Sequence, residues 1–320
     1  MKNKIISDSI ILLSLGVFSS LSLPPLNIFL INFITLSAFF IFLYRRQKIN
    51  FQKKIFFFYG WLFGFGYFFS NLYWITISLT FDQNFNFLIP IALFLIPGLL
   101  ALFYGLVTLI FYLFNFKNLI SCFFLFSLMF GLIEFIRGSI FTGFPWNLII
   151  YSLSENTIFL SFVSIIGTYS FNLILISFFT APAIYILKKT KKKIIIFILF
   201  LFTPVIFFSH GLIYKQKFLN NEIKENNYTI RVISSNISLD RFYENTQTEN
   251  VINELIELSN PNKNKNIFFL WPEGIIPDTY QDELKLYGDL FNKNFDENHL
   301  IGLGITSRLK NKNEYKYFNS

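Results

Sequence analysis

The feature that most limits this chain is a series of apolar runs, each about as long as a bilayer is thick, filling its first two-thirds. A helix needs about 20 predominantly apolar residues to cross roughly 30 Å of hydrocarbon. Seven segments meet that requirement, near residues 5–23, 26–44, 55–79, 88–114, 118–137, 157–187 and 194–214. Composition agrees, with 53% of the 320 residues hydrophobic and 14% charged, where a soluble domain carries about a quarter charged residues. The segment after about residue 215, by contrast, has the make-up of an ordinary water-soluble protein. Two environments are therefore implied. The first run passes through Leu23-Pro24-Pro25 directly into the second and lacks a small-residue cleavage site, so it is expected to be a retained helix.

Basic residues set the expected orientation. With a cytoplasmic N-terminus, the inside segments hold Lys2 and Lys4, then Arg45, Arg46, Lys48, Lys53 and Lys54, then Lys117, then Lys188, Lys189, Lys191, Lys192 and Lys193. The opposite loops are nearly free of basic residues, with only Arg137 at an outer boundary. An odd number of spans then places the soluble segment outside the cytoplasm, in the periplasm of a Gram-negative cell. The net charge of +8 is accounted for by these loops, and no nucleic-acid partner is called for. A single cysteine, Cys122, excludes an internal disulfide, and with only His210 and His299 there is no Cys/His cluster for zinc. No metal or cofactor is expected. Cys122 lies inside an apolar run, where a thiolate is poorly solvated, and is expected to be a packed span residue rather than a nucleophile.

From about residue 228 the pattern changes, giving domains at 1–215 and 228–320. Tyr228–Ser235 alternates like a strand; 246–259 carries Val251, Leu255 and Leu258 at helical spacing; Asn266–Trp271 reads as a buried strand. A helix is expected over 281–292, a strand over 299–306, and a turn at Lys310–Asn313 into a last strand at 315–318. The β-α-β order points to a layered α/β domain, of which fewer than about a hundred residues are present, and an incomplete one is expected.

Phe268-Phe269-Leu270-Trp271-Pro272-Glu273 is a hydrophobic strand ending in a carboxylate, with Gly274 and Pro277 shaping the turn after it. A carboxylate at the carboxyl end of a buried strand is held by the sheet yet faces the rim where ligands bind. Partly withdrawn from water, it suits general-base chemistry. The spacing alone favours a Glu that simply caps the strand or the turn after it. In the apolar half, Glu134 and Arg137 are three apart and can pair on one helix face, in a packing role or in contact with substrate. Gly143-Phe144-Pro145-Trp146 puts aromatics at an interface, where anchoring is the ordinary role.

Trp271-Pro272-Glu273, preceded by a strand and followed by Ile275-Ile276-Pro277, resembles the catalytic-glutamate motif of the nitrilase (CN-hydrolase) superfamily in the form found in apolipoprotein N-acyltransferases. The apolar half carries Leu23-Pro24-Pro25, Gly64-Phe65-Gly66 with Leu72-Tyr73-Trp74, Glu134-Phe135-Ile136-Arg137-Gly138 and Phe141–Trp146 in that family's order. Gly167 and Asn172, Ser235-Asn236-Ile237 and Tyr317–Ser320 fit as well. The resemblance implies a polytopic α-helical membrane domain followed by part of a nitrilase-like αββα sandwich, in the bacterial inner membrane. It implies transfer of a phospholipid acyl chain, through a cysteine thioester, to the N-terminal amine of a diacylglyceryl-cysteine apolipoprotein. Glu273 would be the general base. The family's Lys and nucleophilic Cys are expected beyond Ser320, so the chain is expected to be C-terminally truncated and inactive alone. Phe242 and Trp146 are the implied substrate-binding positions, the latter on a lipid-facing loop. The residues alone leave open a membrane transport or lipid-binding protein with a regulatory soluble tail, or a pseudoenzyme.

Overall fold

A computed structural model describes residues 2–49, 52–140, 143–187, 190–221, 227–236, 248–276, 279–311 and 314–319. The chain divides into two compact units, Met1–Asn221 and Glu222–Ser320.

The first unit is helical: α1 (Lys2–Ser20), α2 (Ile31–Gln47), α3 (Lys53–Asn71), α4 (Ile89–Phe114), α5 (Leu119–Ser139), α6 (Thr157–Leu160), α7 (Val163–Ile166), α8 (Thr168–Thr180), α9 (Pro182–Leu187) and α10 (Lys191–Asn220). Every expected apolar run holds helix, but they are not all equivalent. Gln83–Phe114, Leu119–Ser139, Thr168–Leu187 and Ile194–Asn220 are long and apolar enough to cross a membrane, and Lys53–Asn71 with Tyr73–Thr80, bent by 47°, makes a fifth. Ile5–Ser20 of α1 is a shorter apolar helix, and α2 has 17 residues, so these two expected spans fall short in helix length. The chain is thus a multi-pass membrane protein, and of these four long spans α5 and α8–α9 are the most buried, at 56% against 11% in α10.

Two expected spans are broken. The run at 55–79 leaves the α-helix after Asn71 and continues as 3-10 turns at Tyr73–Thr80 and Gln83–Leu88. Thr76, Ser78 and Thr80 each turn the hydroxyl back onto the carbonyl three residues earlier, at 2.7 Å. Such local bonds compete with the helical ladder, and they leave no hydroxyl proton unsatisfied in an apolar setting. The run at 157–187 breaks at Gly167, whose φ of +78° a β-carbon would strain.

Close helix contacts hold the bundle. A β-carbon on Gly16 would lie 2.1 Å from the Phe63 carbonyl oxygen, and one on Gly66 would lie 2.3 Å from that of Leu13, so α1 and α3 meet backbone to backbone. At the opposite end of α1, buried Asp8 pairs with Arg46 of α2 and accepts a 2.7 Å hydrogen bond from the Tyr59 hydroxyl of α3. The sequence pattern had pointed to Glu134–Arg137 as the clear acid–base pair in a span; this is a second.

The second unit has a parallel sheet ordered β1 (Thr229–Val232), β2 (Ile267–Leu270), β3 (His299–Gly302), followed by an antiparallel hairpin of β4 (Thr306–Asn311) and β5 (Glu314–Asn319). The strand expected over 299–306 is therefore split between β3 and β4. Helix α11 (Thr248–Ser259) follows β1, and α12 (Gly288–Asn294) follows a 3-10 turn at Glu283–Tyr287. Helix α11 buries Val251, Ile252, Leu255 and Ile256 against Phe269 and Trp271, while Leu258, expected on that face, is exposed.

Candidate functional site

In the second unit, β2 is the middle strand, so its chain is bonded on both sides and leaves the sheet at a fixed place. The Trp271 amide donates to the Gly302 carbonyl at 2.9 Å, and its indole N–H donates to the Ser259 hydroxyl at 2.9 Å. The ring is buried against Phe291 and Phe295. Trp271 thus pins the strand end two residues before Glu273. The chain then turns at Gly274, with φ +62°, whose amide donates to the Gly304 carbonyl at 3.0 Å. A β-carbon on Gly304 would sit 2.8 Å from Glu273 Cγ. Two glycines therefore hold the exits of β2 and β3 together, and Glu273 stands at that rim with its side chain exposed rather than partly withdrawn from water. Its position at the carboxyl ends of parallel strands is where open α/β sheets bind ligands.

In the first unit, a buried polar network underlies the loop that carries Trp146. Glu134 of α5 accepts hydrogen bonds from the Tyr104 hydroxyl of α4, at 2.7 Å, and from the Asn172 amide of α8. The Arg137 guanidinium lies 3.9 Å from Glu134, and both side chains are fully buried. Arg137 Nη1 donates to the Phe144 carbonyl at 2.7 Å and the Trp146 carbonyl at 2.9 Å. The cation also lies over the Phe68 and Phe144 rings. Asn172 Oδ1 accepts from the Ile150 amide at 2.9 Å, and the Tyr67 hydroxyl donates to the Asn147 carbonyl at 3.0 Å. The network fixes the loop backbone and leaves Trp146 exposed, edge to face with Trp74 at 6.3 Å. The two tryptophans line a cavity of about 480 Å³ with Asn71, Asn147, Tyr151 and Ser154. Burial pushes the Tyr151 phenol above its usual pKa, so it stays a neutral hydroxyl.

The structure thus gives Glu134 and Arg137 a packing role and places Trp146 on a surface cavity. Glu273 belongs to the other unit, and Phe242 lies outside the described residues. Cys122 is buried and its thiol donates to the Phe116 carbonyl at 3.0 Å, as a packed residue does. Among the described residues no cluster of His, Cys, Asp and Glu is arranged to hold a metal. Sequence reasoning missed Tyr104, Tyr67 and Asn147; their only signal is polarity within or beside apolar runs.

Residues 15–181, just over half of the chain, match the family model for the apolipoprotein N-acyltransferase N-terminal domain. Apolipoprotein N-acyltransferase of Rickettsia prowazekii (strain Madrid E) is 36% identical over 192 residues, covering 58% of this chain and 37% of the relative. That of Brucella melitensis is 27% identical over 276 residues, covering 82% and 51%, and that of Rhizobium etli (strain CIAT 652) is 26% identical over 285 residues, covering 84% and 52%. The matches therefore span about half the length of these relatives, or less.

Proposed function

Because the chain belongs to the apolipoprotein N-acyltransferase family, we propose that it supplies the membrane domain and the general base of an enzyme that N-acylates lipoproteins. The acyl donor is a phospholipid, and the acceptor is the N-terminal amine of a diacylglyceryl-cysteine apolipoprotein. The observation that carries this reading is Glu273 at the carboxyl rim of a parallel β sheet, held by Trp271, Gly274 and Gly304. In the proposed chemistry Glu273 takes the proton of a cysteine thiol as the sulfur attacks the acyl ester, forming a thioester. It returns that proton to the departing glyceryl oxygen, and the amine then displaces the thiol. The scheme also calls for a lysine and a nucleophilic cysteine, as the nitrilase-like resemblance implies, and Cys122, buried in α5, is not that thiol. Trp146 and Phe242 contact the lipid-bearing substrates. The distribution of Lys and Arg supports a bacterial inner-membrane location with a cytoplasmic N-terminus and a periplasmic second unit, provided that α1 and α2 also cross.

The test joins this chain in frame to the remaining C-terminal part of the Brucella melitensis relative and follows thioester formation with a phospholipid donor, normalised to inserted protein. Glu273→Gln, nearly isosteric but unable to accept the proton, is expected to slow acylation by about 10² to 10⁴. Glu283→Gln should change it little. Near-normal thioester formation by the Glu273→Gln chain overturns the assignment of the base.

A further inference from the structure

Helix length leaves one apolar stretch of the helical unit without a place in the crossing. At 1.5 Å per residue, the 19 residues of α3 rise about 28 Å and the 26 of α4 about 39 Å, against roughly 30 Å of hydrocarbon. By length either helix reaches across, so the 3-10 turns between them, Tyr73–Thr80 and Gln83–Leu88, are surplus to both. The chain bends by 47° where α3 gives way to the first turn. Trp74, Ile77, Phe81, Phe85 and Phe87 are all exposed. Thr76, Ser78 and Thr80 already bond the chain's own carbonyls, so their hydroxyl protons need no water. Between residues 55 and 116 the sequence has one charged side chain, Asp82, placed between the two turns with its carboxylate accepting from the Asn84 amide at 2.9 Å. A carboxylate is costly at the bilayer centre and tolerated near the headgroups, which sets the depth of this segment. Side chains three apart in a 3-10 turn eclipse one another. Gln83 and Asn86 therefore share one edge of the second turn, Phe85 and Leu88 another, and Asn84 and Phe87 the third. In the first turn Trp74 and Ile77 align in the same way.

We propose that residues 73–88 lie along one membrane boundary, neither crossing it nor projecting into water. Ile77, Phe85 and Phe87 enter the acyl chains, while Asp82, Gln83 and Asn86 stay at the headgroups. The partner is the lipid leaflet itself. The exposed apolar side chains run on without interruption into Ile91, Phe94 and Leu95, which are exposed on the spanning helix α4 and so face acyl chains. A segment with one amide edge and two edges bearing aromatic or aliphatic side chains meets such a boundary as an in-plane amphipathic anchor does.

The experiment places a nitroxide at one position at a time, through Ile77→Cys, Gln83→Cys, Asn86→Cys and Phe87→Cys, in the full chain reconstituted into phosphatidylcholine vesicles. Labelling of the unaltered chain, whose one thiol is the buried Cys122, sets the background. Oxygen concentrates among acyl chains, and a nickel chelate stays in water. Oxygen is expected to relax the labels at 77 and 87 more than nickel does, at a depth of about 5–10 Å from the headgroups. The order is expected to reverse at 83 and 86, so that adjacent positions 86 and 87 report opposite environments. Nickel-dominated relaxation at all four positions puts the segment in water. Oxygen-dominated relaxation at all four sinks it into the core, and weak relaxation by both reagents at 77 and 87 places protein over it. Each of these three results overturns the proposal.

Discussion

The helical unit and the sheet unit treat their carboxylates in opposite ways. Glu134 and Asp8 lie in the apolar bundle, buried, and each is met by a cation and by side-chain hydrogen-bond donors from other helices. Glu273 stands exposed at a strand end, positioned by backbone contacts of its own turn and of the neighbouring strand exit. A charge in hydrocarbon persists only where its partners are fixed, so burial with full pairing marks the groups that hold the membrane unit together. An acid exposed at a strand end lies where a substrate can reach it. Glu134 lies within the stretch that matches the family model, residues 15–181, and Asp8 and Glu273 lie outside it, so it is their surroundings that separate the two kinds of acid.

The comparison breaks most readily at Arg137. Its Nη1 ties two carbonyls of the Phe144–Trp146 loop to α5, and its charge faces Glu134 inside the bundle. Arg137→Ala leaves a buried carboxylate and two carbonyls without that cation, a change worth about 3–5 kcal/mol when one partner of a buried pair is lost. Hydrogen exchange of the full chain in lipid should show faster exchange at α5 and residues 143–150, with β2 unchanged. If only the exposed loop responds, the pair is not a keystone of the bundle.

A smaller effect is expected at the turn that presents Glu273. Gly274 has φ +62°, in the left-handed region, where a side chain costs roughly 1–2 kcal/mol. Nothing lies within 4 Å of a β-carbon there, so Gly274→Ala tests backbone strain without a clash. Exchange should quicken at the amide of residue 274, which donates to Gly304, while α11 stays protected. Equal protection in both proteins would show that the turn does not depend on the glycine.

How much of this was legible in the sequence follows the same division. Apolar length revealed the helical segments, because hydrocarbon thickness sets one requirement for all of them. It did not reveal the break after Asn71, because Thr76, Ser78 and Thr80 satisfy themselves locally and hydropathy does not register where a hydroxyl points. In the second unit, β2 (Ile267–Leu270) was visible within the run Asn266–Trp271, since a buried parallel strand is apolar on both faces. The split between β3 and β4 was not, because Leu303–Ile305 continues the apolar pattern while the chain leaves the sheet. Glu273 was identifiable as a strand-end carboxylate, but its exposure was not. The Tyr104–Glu134–Asn172 cluster joins residues 30 and 38 positions apart on three helices, and no local spacing encodes it.

The smallest expected change gives the sharpest contrast. Glu273→Gln keeps the side chain's size at an exposed position, and the Gly274–Gly304 hydrogen bond and the buried Trp271, which help hold the turn, are untouched by it. Surface substitutions of this kind usually alter stability by no more than about 0.5 kcal/mol. Exchange rates over β2, β3 and α11 should therefore match those of the unaltered chain, even though the same substitution is expected to slow acylation strongly in the extended enzyme. Glu134→Gln should behave in the reverse sense, loosening α4, α5 and α8 together, because it removes the charge facing Arg137 and forces the amide NH2 to face either Tyr104 or Asn172, each of which now donates to Glu134. Were Glu273→Gln to open the sheet as Glu134→Gln opens the bundle, Glu273 would be one more structural acid, and a loss of acylation in that variant would no longer speak for a proton-transfer role.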